Sequence, residues 1–221
     1  RSIWGELMFG VKKLFVCARC ATIELPDGGL YNTKKPYELT LNGETAGTAE
    51  TVVHSIYGLW PDTKYTLKVW DGSKEMGRVT FRTEEESFTL NVRRFGAVGD
   101  GVHDDTPAIQ AAINTCPKKG RVLIPAGEYH VLPIFLKSHV RIEIQKGATL
   151  LLDTDRSKFP ILPGMIQSTD EKSDLNLGSW EGNPLDMFAA FISGNGVEDV
   201  VLYGEGVLDG QGDKADWWVN H

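Results

Sequence analysis

Cysteine is scarce in this sequence, with three among 221 residues, at positions 17, 20 and 116. Three cannot pair completely, so no disulfide framework is expected, and Cys17-x-x-Cys20 has no second pair to complete a zinc site. Both fall within what reads as one strand, where alternation sends them to opposite faces. They are expected to be ordinary buried or half-buried residues, as found in a reducing compartment. Long apolar runs are missing as well. No window approaches the roughly 18 residues of a membrane span, and the apolar run Leu14 to Ala18 behind Lys12-Lys13, which faintly imitates a signal peptide, is cut short by Arg19. This favours a cytoplasmic location, with secretion or the periplasm as the alternative. Residues 1–10 match nothing downstream and read as a leader or other extraneous sequence.

Clusters of basic residues are also absent. The formal charge is −7, and residues 1–90 hold 11 Lys+Arg against 12 Asp+Glu, leaving 12 against 18 for residues 91–221. No segment has the basic footprint that phosphate binding needs, so nucleic acid is not an expected partner. An anionic substrate would be opposed by the overall field and would need a local cluster of Arg and Lys. Gly-rich phosphate loops, a Ser elbow and metal-type His spacings do not occur, and no cofactor is expected. His54, His130, His139 and His221 stand alone in strand-like or terminal contexts, which suits structural roles.

What is present is β-sequence. From Val11 to Thr83 short runs resembling strands (14–25, 37–41, 51–56, 65–70 and 78–82) alternate with turns at Pro26-Asp27-Gly28-Gly29, Asn42-Gly43 and Asp71-Gly72-Ser73, the regular spacing of a β-sandwich. Leu59-Trp60-Pro61-Asp62-Thr63-Lys64-Tyr65 has the pattern of a tyrosine corner, in which the Tyr65 hydroxyl ties back to the preceding loop. The stretch resembles a fibronectin type III module. Trp60 and Trp70 are expected to pack rather than to form a sugar-stacking platform. Glu84-Glu85-Glu86-Ser87 reads as a solvated linker, giving domains at 11–84 and 88–221.

The second domain opens with Phe95 to Ile113. Gly99 and Gly101 flank Asp100 in a turn that tolerates positive φ, Thr106 is placed to cap a helix, and Pro107 suits its first position. Ile109, Ala112, Ile113 and Cys116 then make one apolar face, which ends at Pro117. Asp104-Asp105 could divide acid and base work, but directly before a helix they read as capping residues. Asp100, His103 and Asp104 do not fit an EF-hand, because Val102 occupies its third position.

Short strands follow at 121–125, 129–131, 134–136, 140–144 and 149–152 with no second helix, which points to a solenoid whose open end the helix covers. Residues 153–186 lack any period and read either as an inserted loop with a function or as misread strands. Ile142, Ile144 and Leu150 are then matched by Val200, Leu202 and Leu208 at a constant offset of 58. Asp209-Gly210-Gln211-Gly212-Asp213 is a polar turn, and Trp217-Trp218 after it are expected at a coil corner rather than in a sugar cleft.

Phe95 to Ile113 together with Gly120 to Tyr129 resembles the entrance of pectin-lyase-like right-handed parallel β-helices. Leu136-Lys137-Ser138, Gly147-Ala148-Thr149-Leu150, Trp180-Glu181-Gly182, Gly204 to Gly212 and Trp217-Trp218 narrow the resemblance to glycoside hydrolase family 28, the polygalacturonases. The expected fold is all-β: a fibronectin type III-like sandwich, then the first coils of the β-helix behind a short capping helix. The resemblance implies hydrolysis of α-1,4-galacturonosyl linkages in pectin with inversion, on a pectic polysaccharide or oligogalacturonide.

The family's Asn-x-Asp, Asp-Asp, Gly-His-Gly and Arg-x-Lys do not occur here in the right surroundings, so no catalytic residue is assigned. The resemblance places them beyond Trp217-Trp218, and a chain of this extent is expected to be inactive with an exposed apolar end. Trp180 and Glu181 are the candidate substrate-binding residues. A pectate lyase or other β-helix depolymerase is the alternative enzyme, and a non-catalytic carbohydrate-binding or tail-spike-like β-helix is the alternative outside catalysis.

Overall fold

The computed structural model describes residues 9–170 and 172–217, so Trp218, His221 and residues 1–8 lie outside the described residues. The chain forms two compact units, Arg1–Glu86 and Ser87–His221.

In the first unit, β1 (Lys12–Val16), β2 (Cys20–Glu24) and β5 (Val53–Tyr57) form one antiparallel sheet in the order β1-β2-β5. The strands β3 (Asn32–Leu41), β4 (Glu44–Thr51), β6 (Lys64–Asp71) and β7 (Lys74–Arg82) form the other, in the order β4-β3-β6-β7. Ala21, Ile23 and Ile56 from one sheet and Leu39, Leu67, Val69 and Phe81 from the other share a single core, the packing of a fibronectin type III-like sandwich. The tyrosine corner is present: Tyr65 Oη accepts the Trp60 N–H at 3.0 Å, and Leu59 is buried beneath it.

Two sequence expectations fail in this unit. Residues 14–25 are two strands, because the chain reverses at Ala18-Arg19, with the Cys17 N–H bonded to the Cys20 carbonyl at 3.0 Å. The edge strand β4 was not expected, since its Ala and Gly carry little β-preference and Ala49 alone of its residues is buried. It is held by its ladder to β3, which is interrupted by two register shifts.

The second unit winds as a coil with three faces. One face stacks β8 (Phe88–Asn91), β10 (Gly120–Ile124), β13 (Val140–Ile144) and β22 (Val200–Tyr203), all parallel. A second stacks β9 (Asp100–Asp104), β11 (Gly127–Val131), β14 (Ala148–Leu152) and β23 (Val207–Asp209). The third pairs β12 (Ile134–Phe135) with β21 (Ile192–Ser193). In-register pairing stacks like on like, so Leu90, Val122, Ile142 and Leu202 form one inward ladder and Tyr129, Leu150 and Leu208 another. This is the parallel β-helix expected from the short strands and their missing crossover helices.

Helix α1 (Thr106–Thr115) buries Ala108, Ile109, Ala112 and Ile113 in the same core as Val122, Val140 and Ile142. Its start differs from expectation. Thr106 lies within the helix, and its hydroxyl accepts the Leu132 N–H at 2.7 Å instead of capping. Asp104 accepts the Thr106 N–H at 3.0 Å. Asp105 is buried and turned the other way, taking the N–H groups of Val98 at 2.6 Å and Gly99 at 2.9 Å, which closes the turn where Gly99 and Gly101 adopt φ of 67° and 76°.

The internal repeat also needs correcting. Ile142 pairs with Leu202 and Val140 with Val200, an offset of 60, whereas Leu150 pairs with Leu208 at 58. The corner after β22 is two residues shorter than the one after β13, and an even difference keeps every inward side chain inward.

Residues 153–191, between β14 and β21, are neither a plain loop nor further coils. They fold back through two-residue antiparallel pairs: β15 (Ile161–Leu162) with β20 (Met187–Phe188), β16 (Ile166–Gln167) with β17 (Asp174–Leu175), and β18 (Ser179–Trp180) with β19 (Asn183–Pro184). The outermost pair closes the neck.

Candidate substrate groove

The neck of this insertion creates a concavity with an aromatic wall. It is a groove of about 650 Å³ walled by Phe159, Ile161, Trp180, Met187, Phe188 and Trp217, with Leu152 of the coil at its edge. Phe159, Phe188 and Trp217 pack on one another with ring centroids 5.5 to 6.3 Å apart, edge-on or tilted, which fixes the wall. Trp217, expected to pack at a coil corner, packs on rings of the insertion and lines the groove. A second, more polar cavity of about 570 Å³ lies beside it, over Phe135, Leu136, Asn176, Ser193 and Asn195.

Trp180 is 64% exposed at the rim, the arrangement needed for a pyranose to stack on its face. It is held there by a tight hairpin whose two central residues, Glu181 and Gly182, take φ of 50° and 84°. Glu181 is therefore exposed at the tip, and its carboxylate does not line the groove. Of the two candidate substrate-binding residues, Trp180 lines this groove and Glu181 does not.

Asp186 is the single ionisable residue among the described lining, and it accepts the Gly164 N–H at 2.8 Å. Beside the wall, Arg156 lies over the Trp217 ring at 5.1 Å and pairs with Asp216 at 2.9 Å. An apolar wall with one tied carboxylate can bind the flat face of a sugar. It does not place two opposed carboxyl groups across a bond, as inverting hydrolysis requires.

Asp104-Asp105 is no catalytic pair, because Asp105 is spent on the Val98 and Gly99 amides. No three or more His, Cys, Asp or Glu side chains among the described residues are grouped to hold a metal ion. Two of the histidines that stood alone in the sequence, His130 and His139, have partners in space. His130 Nε2 is 3.1 Å from Asp153, which also binds Lys158 at 3.0 Å, and His139 Nδ1 is 2.9 Å from Asp199. Burial works to raise the Asp153 carboxyl, but the Asp155 N–H, Lys158 and His130 outweigh it and hold the group below the ordinary carboxylate range. At Asp199, hydrogen bonds from His139 and Arg141 lower it likewise. These are struts across neighbouring coils, and they were invisible in sequence because their members lie 23 to 60 positions apart.

Residues 89–145 match the family described as rhamnogalacturonase A/epimerase, pectate lyase-like. Among curated proteins, the chain is 37% identical over 119 residues to the plasmin and fibronectin-binding protein A of Streptococcus pneumoniae, covering 49% of this chain and 17% of that protein. It is 26% identical over 153 residues to the exo-poly-alpha-D-galacturonosidase of Dickeya chrysanthemi, covering 64% of this chain and 23% of that one. The chain thus spans about a fifth of the length of these relatives. The family 28 exopolygalacturonase of Yersinia enterocolitica superposes over 90% of this chain and 40% of its own, with a TM-score of 0.60 at 21% identity, a likeness of fold. With three stacked faces and a capping helix, the unit that begins at Ser87 has the fold of the pectin-lyase-like right-handed parallel β-helices, and its residues 89–145 are similar to the rhamnogalacturonase A/epimerase family.

Proposed function

We propose that this chain carries the opening coils of a polygalacturonase-like glycoside hydrolase that cleaves α-1,4-galacturonosyl linkages in pectin with inversion. The observation that carries the reading is the end of the ladders. Leu202 and Leu208, stacked in register on the buried Ile142 and Leu150, are 39% and 44% exposed, as inward residues are when another coil belongs above them. The likeness to the exo-poly-alpha-D-galacturonosidase supports a pectic substrate class. On this reading the acid that protonates the leaving oxygen and the carboxylates that activate water stand on those further coils, and so does the cationic grip on the substrate carboxylate. The groove under Trp180 would hold the apolar face of a sugar at one side of that cleft.

The family match also names epimerases, which remodel a uronate without cutting the chain, and this is the second reading. One experiment separates them: a protein comprising this segment and the coils that follow it, incubated with polygalacturonate. New reducing ends without ultraviolet-absorbing unsaturated products support hydrolysis. Unsaturated products mean a lyase, and altered sugar stereochemistry at unchanged polymer length means an epimerase. Saturable binding with no chemistry would leave a non-catalytic module.

A further inference from the structure

Cys17 and Cys20 take no part in this reading, yet the fold brings them together. Cys17 follows β1 and Cys20 begins β2, with Ala18-Arg19 as the whole connection. Residues that flank a two-residue reversal face each other, and here the two Sγ atoms are 2.8 Å apart. The reversal is tied on both sides. The Arg19 carbonyl accepts the Leu59 N–H at 3.1 Å, and the Arg19 guanidinium grips Glu86 at 2.9 and 3.1 Å and lies 5.8 Å from the Trp60 ring centre. Neither thiol can swing far from the other without breaking those ties. The Cys20 thiol, as hydrogen-bond partner, lowers the Cys17 pKa more than burial raises it, which favours Cys17 as the attacking sulfur.

We propose that Cys17 and Cys20 are a redox pair that closes to a disulfide across the β1–β2 turn when the protein meets a small-molecule disulfide such as oxidised glutathione. The Cys17 thiolate attacks one glutathione sulfur, forming a mixed disulfide and expelling one glutathione thiolate. Cys20, losing its proton, then attacks Cys17 Sγ and expels the second. Two protein S–H bonds and one small-molecule disulfide become one protein disulfide and two glutathione thiols, with the protein oxidised by two electrons. Both sulfurs are buried, so exchange proceeds through opening of the turn, which lies at the end of the edge strand β1. Cys116, buried in the other unit, serves as the internal reference.

The test is to equilibrate the protein against graded ratios of oxidised to reduced glutathione, quench in acid, and count maleimide labels in denaturant by intact mass. Reduced protein should take three labels and oxidised protein one, on Cys116, with the unlabelled oxidised chain about 2 Da lighter and still monomeric. Because the fold holds the sulfurs together, the glutathione ratio giving half oxidation should be at least about tenfold more reducing in buffer than in strong urea. Cys20→Ser should stop at a single glutathione adduct on Cys17. Three labels at every ratio, equal oxidation in buffer and urea, or loss of the Cys116 label along with one of the pair would overturn the proposal. Because the wild-type titration alone decides it, a poorly folding Cys20→Ser chain would not shield it.

Discussion

Replacing Ile113 by Asp puts the capping role of α1 to its hardest test. The side chain is 1% exposed and packs with Ile109, Val122 and Val140 in the core of the coil. Truncating such a residue to Ala costs about 2–5 kcal/mol. A carboxyl buried there has no partner, so it stays protonated and still costs about 1–3 kcal/mol as an unsatisfied polar group. The total, about 3–8 kcal/mol, is comparable with the whole stability of an ordinary domain, about 5–15 kcal/mol. The second unit should therefore unfold, or melt far below the wild type, while the first keeps its own core. Hydrogen exchange resolved by peptide reads this directly: amides of β10 to β14 should lose protection and those of β3, β6 and β7 should keep it. Asn114→Asp is the control, since it places the same side chain one residue on, exposed and ionised, and should cost only a few tenths of a kcal/mol near the helix C-terminus. Ile109→Val should fall between them, at about 0.5–1.5 kcal/mol. Unchanged melting and protection in Ile113→Asp would refute the view that α1 closes the end of the core.

Other expectations follow from single contacts. Tyr65→Phe leaves the Trp60 N–H without its acceptor and should destabilise the first unit by about 1–2 kcal/mol, read as a lower urea midpoint at unchanged slope. Asp153 has a carboxyl pKa below its unfolded value, so its contribution is complete above about pH 4 and is lost as the pH falls through the folded pKa. Asp153→Asn should lower the melting temperature at neutral pH and flatten its decline in acid. On the proposed reading, Trp180→Ala in a protein that adds further coils to this segment should raise KM for polygalacturonate about 3- to 10-fold, as befits one lost stacking contact, with kcat nearly unchanged. The exposed Leu202 and Leu208 should make the 221-residue chain self-associate in sedimentation, and Leu202→Lys with Leu208→Glu should reduce this without loosening β10 to β14.

The sequence revealed most where one residue decides a local geometry. Pro107 and the Ile109, Ala112, Ile113 and Cys116 stripe placed the helix, Asn42-Gly43 placed a turn, and the Leu59 to Tyr65 pattern placed the corner, each through short-range chemistry that needs no partner from elsewhere. Where the partner is distant, the sequence was silent or misleading. Strand β4 exists because β3 offers it a ladder, and the His130–Asp153 and His139–Asp199 struts exist because coils stack. Cys17 and Cys20 were assigned to opposite faces because a strand was read through Ala18-Arg19. Two residues of reversal are too short to show in a hydrophobic pattern, and they invert the conclusion. Trp180 stood out through the Trp180-Glu181-Gly182 run in the long insertion, but the groove beneath it did not, since Phe159, Phe188 and Trp217 meet only through the folded insertion.

The corner after β22 shows how the coil tolerates such an insertion. Residues 153–191 leave the stack after β14 and return at β21, yet β22 regains its place on β13 without a register shift. The constraint that restores it lies at the next turn. A side chain at Gly204 would drive its Cβ into the Ile144 carbonyl, and one at Gly206 would meet the Ile144 side chain, so only glycine lets this corner nest on the coil below. The Gly206 N–H in turn bonds the Ile144 carbonyl at 2.9 Å, and Gln211 reaches back to the Leu152 carbonyl at 2.7 Å. Stacking is thus fixed by corners as well as ladders, and the corner, being two residues shorter, is where the offset passes from 60 to 58. Gly206→Val tests this division. It should break the corner and raise exchange in β22 and β23 while β10 and β11 stay protected. Equal loss through all four coils would mean that the stack melts as one unit and that the corner has no separate role.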